Sequence, residues 1–555
     1  MREQTSEAEG KSRAMISILV LVLIGFSSPV LHAQAPMPAS SAINGLVKNA
    51  SGEPVAGAYV KVRNAEAGLT FMVVSQGQGR YTTPNLKPGT YVVQAIGADR
   101  QSPPSAPVAV ASGKQVTLDM TLSEVRKISP PRVKMTEADY EKQMPEGEAK
   151  KLLTTRCVLC HGMDRVVTSR FTREEWEKTV NNMRVYLADH NVTLTDKEKE
   201  TILDYVSANF NPDSERRSGR GAEDKDPFAN LPAKLASGGE AKYVAMEFAL
   251  KKKAGHHDIT VDSTGTPWVS ARSGWIAKFD PKTYSYIEVA IPQAKYKEAP
   301  LNAIAADPKD VLWTMDNGPN NRLIAYNVKS REFNQFNIPA PAASNGSQIN
   351  TIRFFDDGSI WGSGITSSRI IKLDPGSRKI TDYPVPKGTH PYGMAIAGDH
   401  QIWYVANYAD EIVKLDITTG KLTHYKVPPH NPRGPSGADV RRMQVDHDGN
   451  LWAGENATGT LLKIDYKTGK MTEYTTPTPD SGPYSIDVPP KENVIWFSEQ
   501  LVDKVARFDP KTSTFLEFPL AGTESDVRRI EIDRSNPKRV WWSGADKLGY
   551  VEVTE

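Results

Sequence analysis

The sequence predicts a multidomain, mainly β protein with an N-terminal β-sandwich, a small α-helical domain and a C-terminal seven-bladed β-propeller. Three observations lead to this fold class. Residues 43–122 alternate apolar and polar side chains between turn dipeptides, residues 140–212 change to a helical period, and a tryptophan-marked unit then recurs seven times. We expect an export signal at 1–33, the sandwich at 42–122, the helical domain at 140–212, a linker at 213–239 and the propeller at 240–555.

Length and composition fit this division. The 555 residues are 39% apolar and 24% charged, which is typical of a globular chain with room for about three domains. Basic residues exceed acidic ones by 68 − 66 = 2, so the chain lacks the excess positive charge on which nucleic-acid binding depends. We therefore expect no nucleic-acid partner.

The N-terminus has the pattern of a secretory signal. Basic residues including Arg13 precede an apolar run at 16–26, and small residues follow, with cleavage expected after Ala33. An uncleaved anchor is the alternative. No later apolar run approaches the ~20 residues that cross a bilayer, so we expect an exported, periplasmic or extracellular protein without a transmembrane segment after cleavage.

The first module reads as a small all-β sandwich. Its strings at 52–60 and at 79–91, which includes Leu86-Lys87-Pro88-Gly89, resemble the carboxypeptidase regulatory-like domain. The resemblance implies a transthyretin-like, carbohydrate-binding-like sandwich without catalytic residues. Its expected role is either adhesion to a glycan or partner, or that of a structural spacer.

Helix starts are recognisable in the second module. Thr172 with Glu175, and Thr195 with Glu198, have the spacing of capping boxes ahead of apolar-periodic runs. They predict helices from Thr172 to about residue 187 and from Thr195 to about residue 210. An earlier helix at 148–155 leads into the cysteine motif.

The only two cysteines, Cys157 and Cys160, belong to one Cys-Val-Leu-Cys-His string that ends at His161. Two thiols at this spacing form thioethers to the vinyl groups of one porphyrin, and the adjacent imidazole binds the iron. A thioredoxin-type disulfide is the alternative, but no βαβ pattern surrounds the motif. We therefore expect one covalent haem c per chain.

The second axial ligand of the haem iron is expected to be Met183. It shares a predicted helix face with Trp176, and a thioether ligand raises the haem potential. The alternative role of Met183 is that of a core methionine packed beside Trp176. His190 is the alternative ligand, and Met163 lies too close to His161 to reach over the ring. Residues 145–212 resemble the small cytochrome c domains that are fused to or partner periplasmic dehydrogenases, which implies a periplasmic electron donor or acceptor.

The third module consists of repeats of about 45 residues. In each repeat a short β-like run and a turn precede a tryptophan; these are Trp268, Trp313, Trp361, Trp403, Trp452, Trp496 and Trp541. Four strands per repeat predict propeller blades, and the absence of a polar capping repeat favours a closed ring over a solenoid. The chain ends soon after the third strand of the last repeat, so residues 242–250 are expected to complete the seventh blade.

Two positions in each repeat are expected to face one mouth of the propeller channel. The first-strand position is occupied by His257, Asn302, Asn350, Tyr392, Arg441, Tyr484 and Arg528, and the position three after the tryptophan includes Glu455 and Glu499. The candidate catalytic residues are Glu455, Glu499, Arg441, Arg528 and His257. Together these side chains predict a site for an anionic small molecule and for Mg²⁺. The alternative is a solvated polar rim.

Residues 240–555 resemble the streptogramin B (virginiamycin B) lyase family in their Asp/Gly turns and in strings such as Trp452-Ala453-Gly454-Glu455. The resemblance implies elimination that opens a cyclic depsipeptide, with a histidine base beside a glutamate-held magnesium. Glu455 and Glu499 match the glutamate-bearing motif, but no histidine follows His447. Two functions are therefore expected: single-electron transfer by a haem protein whose propeller binds a substrate or partner, or a lyase-like enzyme or sensor with a haem appendage.

Overall fold

The computed structural model describes residues 41–128, 137–159, 162–189, 191–214, 227–250, 255–296, 299–339, 347–429 and 437–554. The described residues belong to one compact unit. The predicted export signal at 1–33 lies outside the described residues. No helix in the described ranges is long and apolar enough to cross a membrane.

The first module is a β-sandwich, as predicted. Its strands are β1 (Ala42–Asn49), β2 (Tyr59–Asn64), β3 (Leu69–Val74), β4 (Arg80–Thr82), β5 (Gly89–Gly97), β6 (Arg100–Gln101), β7 (Val108–Val110), β8 (Gln115–Thr117), β9 (Met120–Leu122) and β10 (Glu124–Val125). One sheet has the order β4-β1-β8, with β9 also paired to β1, and the other has the order β10-β6-β5-β2-β3, with β7 also paired to β5. Alternate residues such as Val60, Val62, Phe71 and Val73 fill the space between them.

The second module is helical. Its helices are α1 (Glu137–Lys142), α2 (Glu148–Arg156), α3 (Asp164–Thr168), α4 (Arg173–Asp189) and α5 (Asp196–Asn209). The capping box of Thr195 and Glu198 is present at the start of α5, and Thr172 and Glu175 make the same reciprocal bonds before α4. The predicted helices are therefore confirmed, whereas their identity as a cytochrome c domain stays a prediction.

The third module has the sheets of a seven-bladed propeller. The outer strand of blade 7 is β11 (Tyr243–Ala249). Blade 1 contains β12 (His256–Val261), β13 (Pro267–Ala271), β14 (Trp275–Asp280) and β15 (Ser285–Ala290), and blade 2 contains β16 (Leu301–Ala306), β17 (Val311–Asp316), β18 (Arg322–Asn327) and β19 (Phe333–Asn337). Blade 3 contains β20 (Ile349–Phe354), β21 (Ile360–Gly364), β22 (Arg369–Asp374) and β23 (Lys379–Pro384). Blades 4 to 7 follow with β24 (Pro391–Ile396), β25 (Ile402–Ala406), β26 (Glu411–Leu415) and β27 (Leu422–Lys426); β28 (Val440–Val445), β29 (Leu451–Glu455), β30 (Thr460–Ile464) and β31 (Met471–Thr475); β32 (Pro483–Asp487), β33 (Ile495–Glu499), β34 (Lys504–Asp509) and β35 (Thr514–Pro519); and β36 (Arg529–Ile532), β37 (Arg539–Gly544) and β38 (Lys547–Val553).

The tryptophan of each repeat lies in the second strand of its blade, as the repeat predicts. The turn before it explains why aspartate recurs there. In blade 5, Asp446 accepts hydrogen bonds from Trp452 Nε1 at 2.9 Å and from the backbone N–H of Asn450 at 2.9 Å. One side chain thus closes the turn and satisfies the buried indole.

The seventh blade is closed by β11, which confirms the prediction for residues 242–250. Strand β11 pairs antiparallel with β38 on one side and with β3 of the sandwich on the other. The sandwich sheet therefore continues into blade 7 and covers the edge that an outer strand would otherwise expose. Beside this seam, the ring centroids of Phe71 in the sandwich and Tyr284 in blade 1 are 5.8 Å apart.

Part of the predicted linker at 213–239 is packed against its neighbours. Asn230 donates hydrogen bonds to the carbonyl oxygens of Leu520 and Gly522 in the loop between blades 6 and 7. Arg126, which follows the sandwich, donates to the carbonyls of Phe228 and Leu231. Residues 228–231 therefore contact both Arg126, which follows the sandwich, and the propeller, and these hydrogen bonds satisfy buried polar groups.

Candidate functional site

A bulge near the start of the first strand in blades 1 to 6 determines which side chains face one end of the propeller channel. In β28 the register shifts between Val440 and Met443, so Arg441 and Arg442 leave the regular ladder. Corresponding shifts occur in β12, β16, β20, β24 and β32. A bulge redirects side chains, and this irregularity turns the first-strand residues toward the channel.

Two tyrosines and an arginine form the centre of this end of the channel. We call this end the upper mouth and define it by His257, Tyr392, Arg441, Tyr484 and Arg528. The hydroxyls of Tyr392 and Tyr484 are hydrogen-bonded, and the Arg441 guanidinium lies 5.4 Å from the centroid of each ring. Burial raises the pKa of Tyr392, but the charges of Arg441 and Arg442 outweigh it and the pKa falls below its usual value. The pKa of Tyr484 is raised, chiefly by burial.

Arg528 lies between the tyrosine pair and a small cavity. Its positive charge acts on both tyrosines and on His257. The cavity has a volume of about 160 Å³ and is lined by His257, Arg272 and Arg528, among others. The structure therefore brings His257, Arg441 and Arg528 together at one mouth, as the first-strand positions predict.

Each mouth arginine pairs with an aspartate two residues earlier in the chain. Arg441 binds Asp439, and Arg528 binds Asp526 through Nε at 2.9 Å and Nη2 at 2.7 Å. The sequence interpretation did not single out these aspartates, although the Asp-Val-Arg triplet occurs in both blades. The ion pairs hold the guanidiniums in fixed positions.

A buried histidine–aspartate–arginine chain extends inward from the upper mouth. His257 Nδ1 lies 2.8 Å from Asp258 Oδ1, and the same oxygen accepts from Arg442 Nη2 at 2.6 Å across the channel. Burial lowers the pKa of His257 to about 4, so the imidazole is neutral at pH 7. Donation from Nδ1 to the carboxylate leaves Nε2 as the proton acceptor.

Glu455 and Glu499 lie inside blades 5 and 6, which corrects the expectation that they join Arg441 and Arg528 at the mouth. Both are fully buried. Side chains alternate along a strand, so Glu499 shares a face of β33 with Ile495 and Phe497, which pack in the apolar core. Its own charged neighbours are Glu517 and Lys504. The position three after the tryptophan is thus the last residue of a strand, not part of the turn.

Each of these glutamates lies beside a second carboxyl of its own blade. Burial, followed by the charge of Glu473, raises the pKa of Glu455 to about 8. Burial, and then the charge of Glu517, raise the pKa of Glu499 to about 8 as well. Across the described ranges no group of three or more His, Cys, Asp or Glu is arranged to hold a metal ion. The Mg²⁺ predicted at the upper mouth stays a prediction.

The structure describes part of the predicted haem site. Cys157 begins a short 3₁₀ helix directly after α2 and is buried in the helical core with Met163 and Trp176, and burial raises the pKa of its thiol to about 11. Met183 is half-buried on α4. Cys160, His161 and His190 lie outside the described residues. A thiol, an imidazole and a thioether are a donor set that suits haem, and the buried Cys157 is consistent with attachment inside the helical core.

Comparisons with known proteins cover the sandwich and the propeller. The carboxypeptidase regulatory-like domain model matches residues 42–123, and the Virginiamycin B lyase family model matches residues 284–555. Neither match includes the helical domain. A search of curated proteins gave no match.

Solved structures similar to this chain include lyase propellers. A streptogramin B lyase structure is 24% identical, with a TM-score of 0.50, and the alignment covers 57% of this chain and 100% of that one. A selenomethionine-substituted virginiamycin B lyase from Staphylococcus aureus is 21% identical, with a TM-score of 0.49, over 56% of this chain and 100% of its own. The streptogramin B lyase structure supports the propeller fold of the C-terminal module.

Proposed function

We propose that the propeller binds a small molecule at the upper mouth and acts on it by a lyase-like elimination. The observation that carries this proposal is that His257 is neutral and is oriented by its hydrogen bond to Asp258. The positive charge of Arg528 acts on His257 and on the two tyrosines. The family match of residues 284–555 supports lyase-like chemistry. His257 precedes the matched range, so this base differs in position from the one that the family resemblance implies.

In the proposed step, His257 Nε2 takes a proton from the carbon next to a substrate carbonyl. The electron pair of that C–H bond forms a C=C bond, and the bond from the adjacent carbon to the leaving oxygen breaks. Tyr392 gives its hydroxyl proton to the leaving oxygen, because the nearby charges of Arg441 and Arg442 favour loss of that proton. Arg528 stabilises the negative charge that develops on the carbonyl oxygen.

A streptogramin B cyclic depsipeptide, the substrate class that the family resemblance implies, tests this proposal by mass spectrometry. Elimination opens the ring without a change in mass, whereas hydrolysis adds one water. We expect a ring-opened product of unchanged mass, and a loss of about 100-fold in kcat/KM for His257→Ala and Tyr392→Phe.

His424→Ala is the matched control, because His424 lies on an outer strand and pairs with Glu411. It should retain the parent activity. A parent that forms no ring-opened product contradicts the proposal, as does a His257→Ala variant with full activity. Activity that depends on Glu455 but not on His257 would place the chemistry inside blade 5.

We propose single-electron transfer as a second function, carried by the helical domain. The burial of Cys157 at the end of α2 favours it. Cys157 and Cys160 would hold a haem c covalently, with His161 and Met183 as iron ligands and His190 as the alternative to Met183. When bound, haem c supplies one-electron redox chemistry. The protein would then be exported and exchange electrons with a periplasmic donor or acceptor.

The haem proposal is tested on protein exported from a host with haem-attachment machinery. Acid-acetone extraction should leave the pigment on the protein, and Cys157→Ala should reduce covalent retention. The ferric protein should show a weak near-infrared sulfur–iron band that Met183→Ala abolishes and that Met163→Leu retains. Release of all pigment into acetone contradicts covalent attachment, and a spin-state change only in His190→Ala assigns the ligand to His190.

A further inference from the structure

The channel has a second cavity at the end opposite the upper mouth. The first strand of blade 5 runs from Arg441 at the upper mouth, through Arg442, to Gln444 in this second cavity. The cavity has a volume of about 470 Å³, and we call it the lower cavity. Its charged lining residues are Arg353, Asp487, Arg529, Glu531 and Arg534. The buried Arg442–Asp258 ion pair lies between the two ends along these strands.

Two arginines of the lower cavity have unused donors. Arg353 donates Nη1 to the carbonyl of Ile352 and Nη2 to that of Met443, both at 3.0 Å, and no carboxylate is paired with it among the described residues. Arg529 makes one long contact of 3.3 Å with Glu531. Within the described part of the chain, the Nε–H groups of Arg353 and Arg529 are buried and lack an acceptor. These Nε atoms are closed to solvent, so a ligand in the cavity would contact the Nη groups, each of which carries two N–H bonds.

The carboxylates of the lower cavity are committed to neighbouring blades. Glu531 Oε1 accepts from Thr260 Oγ1 at 2.8 Å and from the Val261 N–H at 3.0 Å. Asp487 accepts from Gln444 Nε2 at 3.2 Å and from the Ile532 N–H at 2.8 Å. These oxygens fasten blades 1, 5, 6 and 7 to one another, and Glu531 Oε2 also accepts the long contact of 3.3 Å from Arg529.

The guanidiniums also repel one another. Burial and the nearby charges of Arg529 and Arg442 lower the pKa of Arg353 to about 9. An anion between Arg353 and Arg529 would offset this repulsion. Apolar residues, including Ile352, Phe354 and Val488, line the same cavity and leave room for an organic body.

We propose that the lower cavity is a binding site for a small organic oxyanion, held by the guanidinium Nη groups of Arg353 and Arg529, which both line it. Carboxylates and phosphate monoesters share the required chemistry, since both present two oxygens to a guanidinium. Arg534 is exposed at the same cavity and adds positive charge where the ligand enters. The site is separate from the upper mouth and does not depend on the chemistry proposed there.

Calorimetric titration with inorganic phosphate and, separately, with succinate tests this site, at constant ionic strength. We expect at least one probe to bind with a Kd below about 10 mM, and Arg353→Met to raise that Kd about tenfold. Tighter binding of phosphate or of succinate identifies which oxyanion the site prefers. Arg528→Gln, at the other end of the channel, should leave the Kd unchanged.

A second variant covers the case in which Arg353→Met does not fold. Arg534→Gln alters only an exposed side chain of the cavity and should raise the Kd by about threefold while leaving the circular dichroism and the melting temperature unchanged. Failure of both probes to bind the parent overturns the proposal. Binding that Arg528→Gln weakens, and that Arg353→Met and Arg534→Gln leave intact, also overturns it and assigns the anion to the upper mouth.

Discussion

At the residue scale, the buried pair of Arg442 and Asp258 joins blade 5 to blade 1 across the channel. Both side chains are 2% exposed, so removing one partner leaves an uncompensated charge in the interior. We expect Arg442→Met to lower the free energy of unfolding by about 3 to 5 kcal/mol in chemical denaturation. The double variant Arg442→Met, Asp258→Leu should recover much of this loss, and an additive loss would contradict the pairing.

Glu499 makes stability depend on pH. Its pKa is near 4.5 in a free side chain and about 8 in the folded protein, because burial and Glu517 disfavour the charged form. The folded state therefore binds the proton more tightly, and the associated stability is lost as pH rises from about 4.5 to 8. We expect Glu499→Gln to raise the free energy of unfolding by about 1 to 3 kcal/mol at pH 8, with little change at pH 5.

Glu517 provides the control of opposite sign. It pairs with Lys504 at 2.6 Å, and its pKa is lowered because the attraction of that ammonium outweighs burial. Glu517→Gln should destabilise the protein at pH 8, where Glu499→Gln stabilises it. If the free energy of unfolding changes with pH in the same way in the parent and in Glu499→Gln, the proposed titration of Glu499 is excluded.

At the element scale, the start of α5 depends on a capping box. Thr195 accepts the Glu198 N–H, and Glu198 accepts the Thr195 N–H at 2.9 Å. We expect Thr195→Ala to lower the stability of the helical domain by about 1 kcal/mol, measured by hydrogen exchange of the α5 amides. Thr195→Ser should preserve the cap, and equal exchange in both variants would show that tertiary packing alone maintains this helix end.

At the scale of the whole molecule, the sandwich acts as a cover for the propeller seam. Strand β11 is paired on both edges only while β3 is present. We expect a chain lacking residues 41–123 to melt at a lower temperature and to self-associate, because blade 7 then exposes an unpaired strand edge. Light scattering measures the self-association, and calorimetry measures the melting temperature. A shortened chain that stays monomeric with the same melting temperature would favour the alternative, in which the sandwich is an independent spacer or glycan-binding domain.

The sequence by itself determined the features that short segments encode. The tryptophan and its turn aspartate, the capping pairs, and the strand at 242–250 predicted blades, helix starts and the seam, since each depends on hydrogen bonds or periodicity within one element. The Cys-x-x-Cys-His string likewise predicts haem attachment, which stays a prediction because Cys160 and His161 lie outside the described residues.

Only the tertiary structure decided which side chains meet in the channel. The bulges turned Arg441 to the upper mouth and brought Arg442 to Asp258, which lies 184 residues away in the chain. Strand alternation placed Glu455 beside Glu473 and Glu499 beside Glu517, and ring closure placed Arg353 and Arg529 around the lower cavity. These contacts follow from the closure of seven blades around one axis, and no local pattern of residues encodes that geometry.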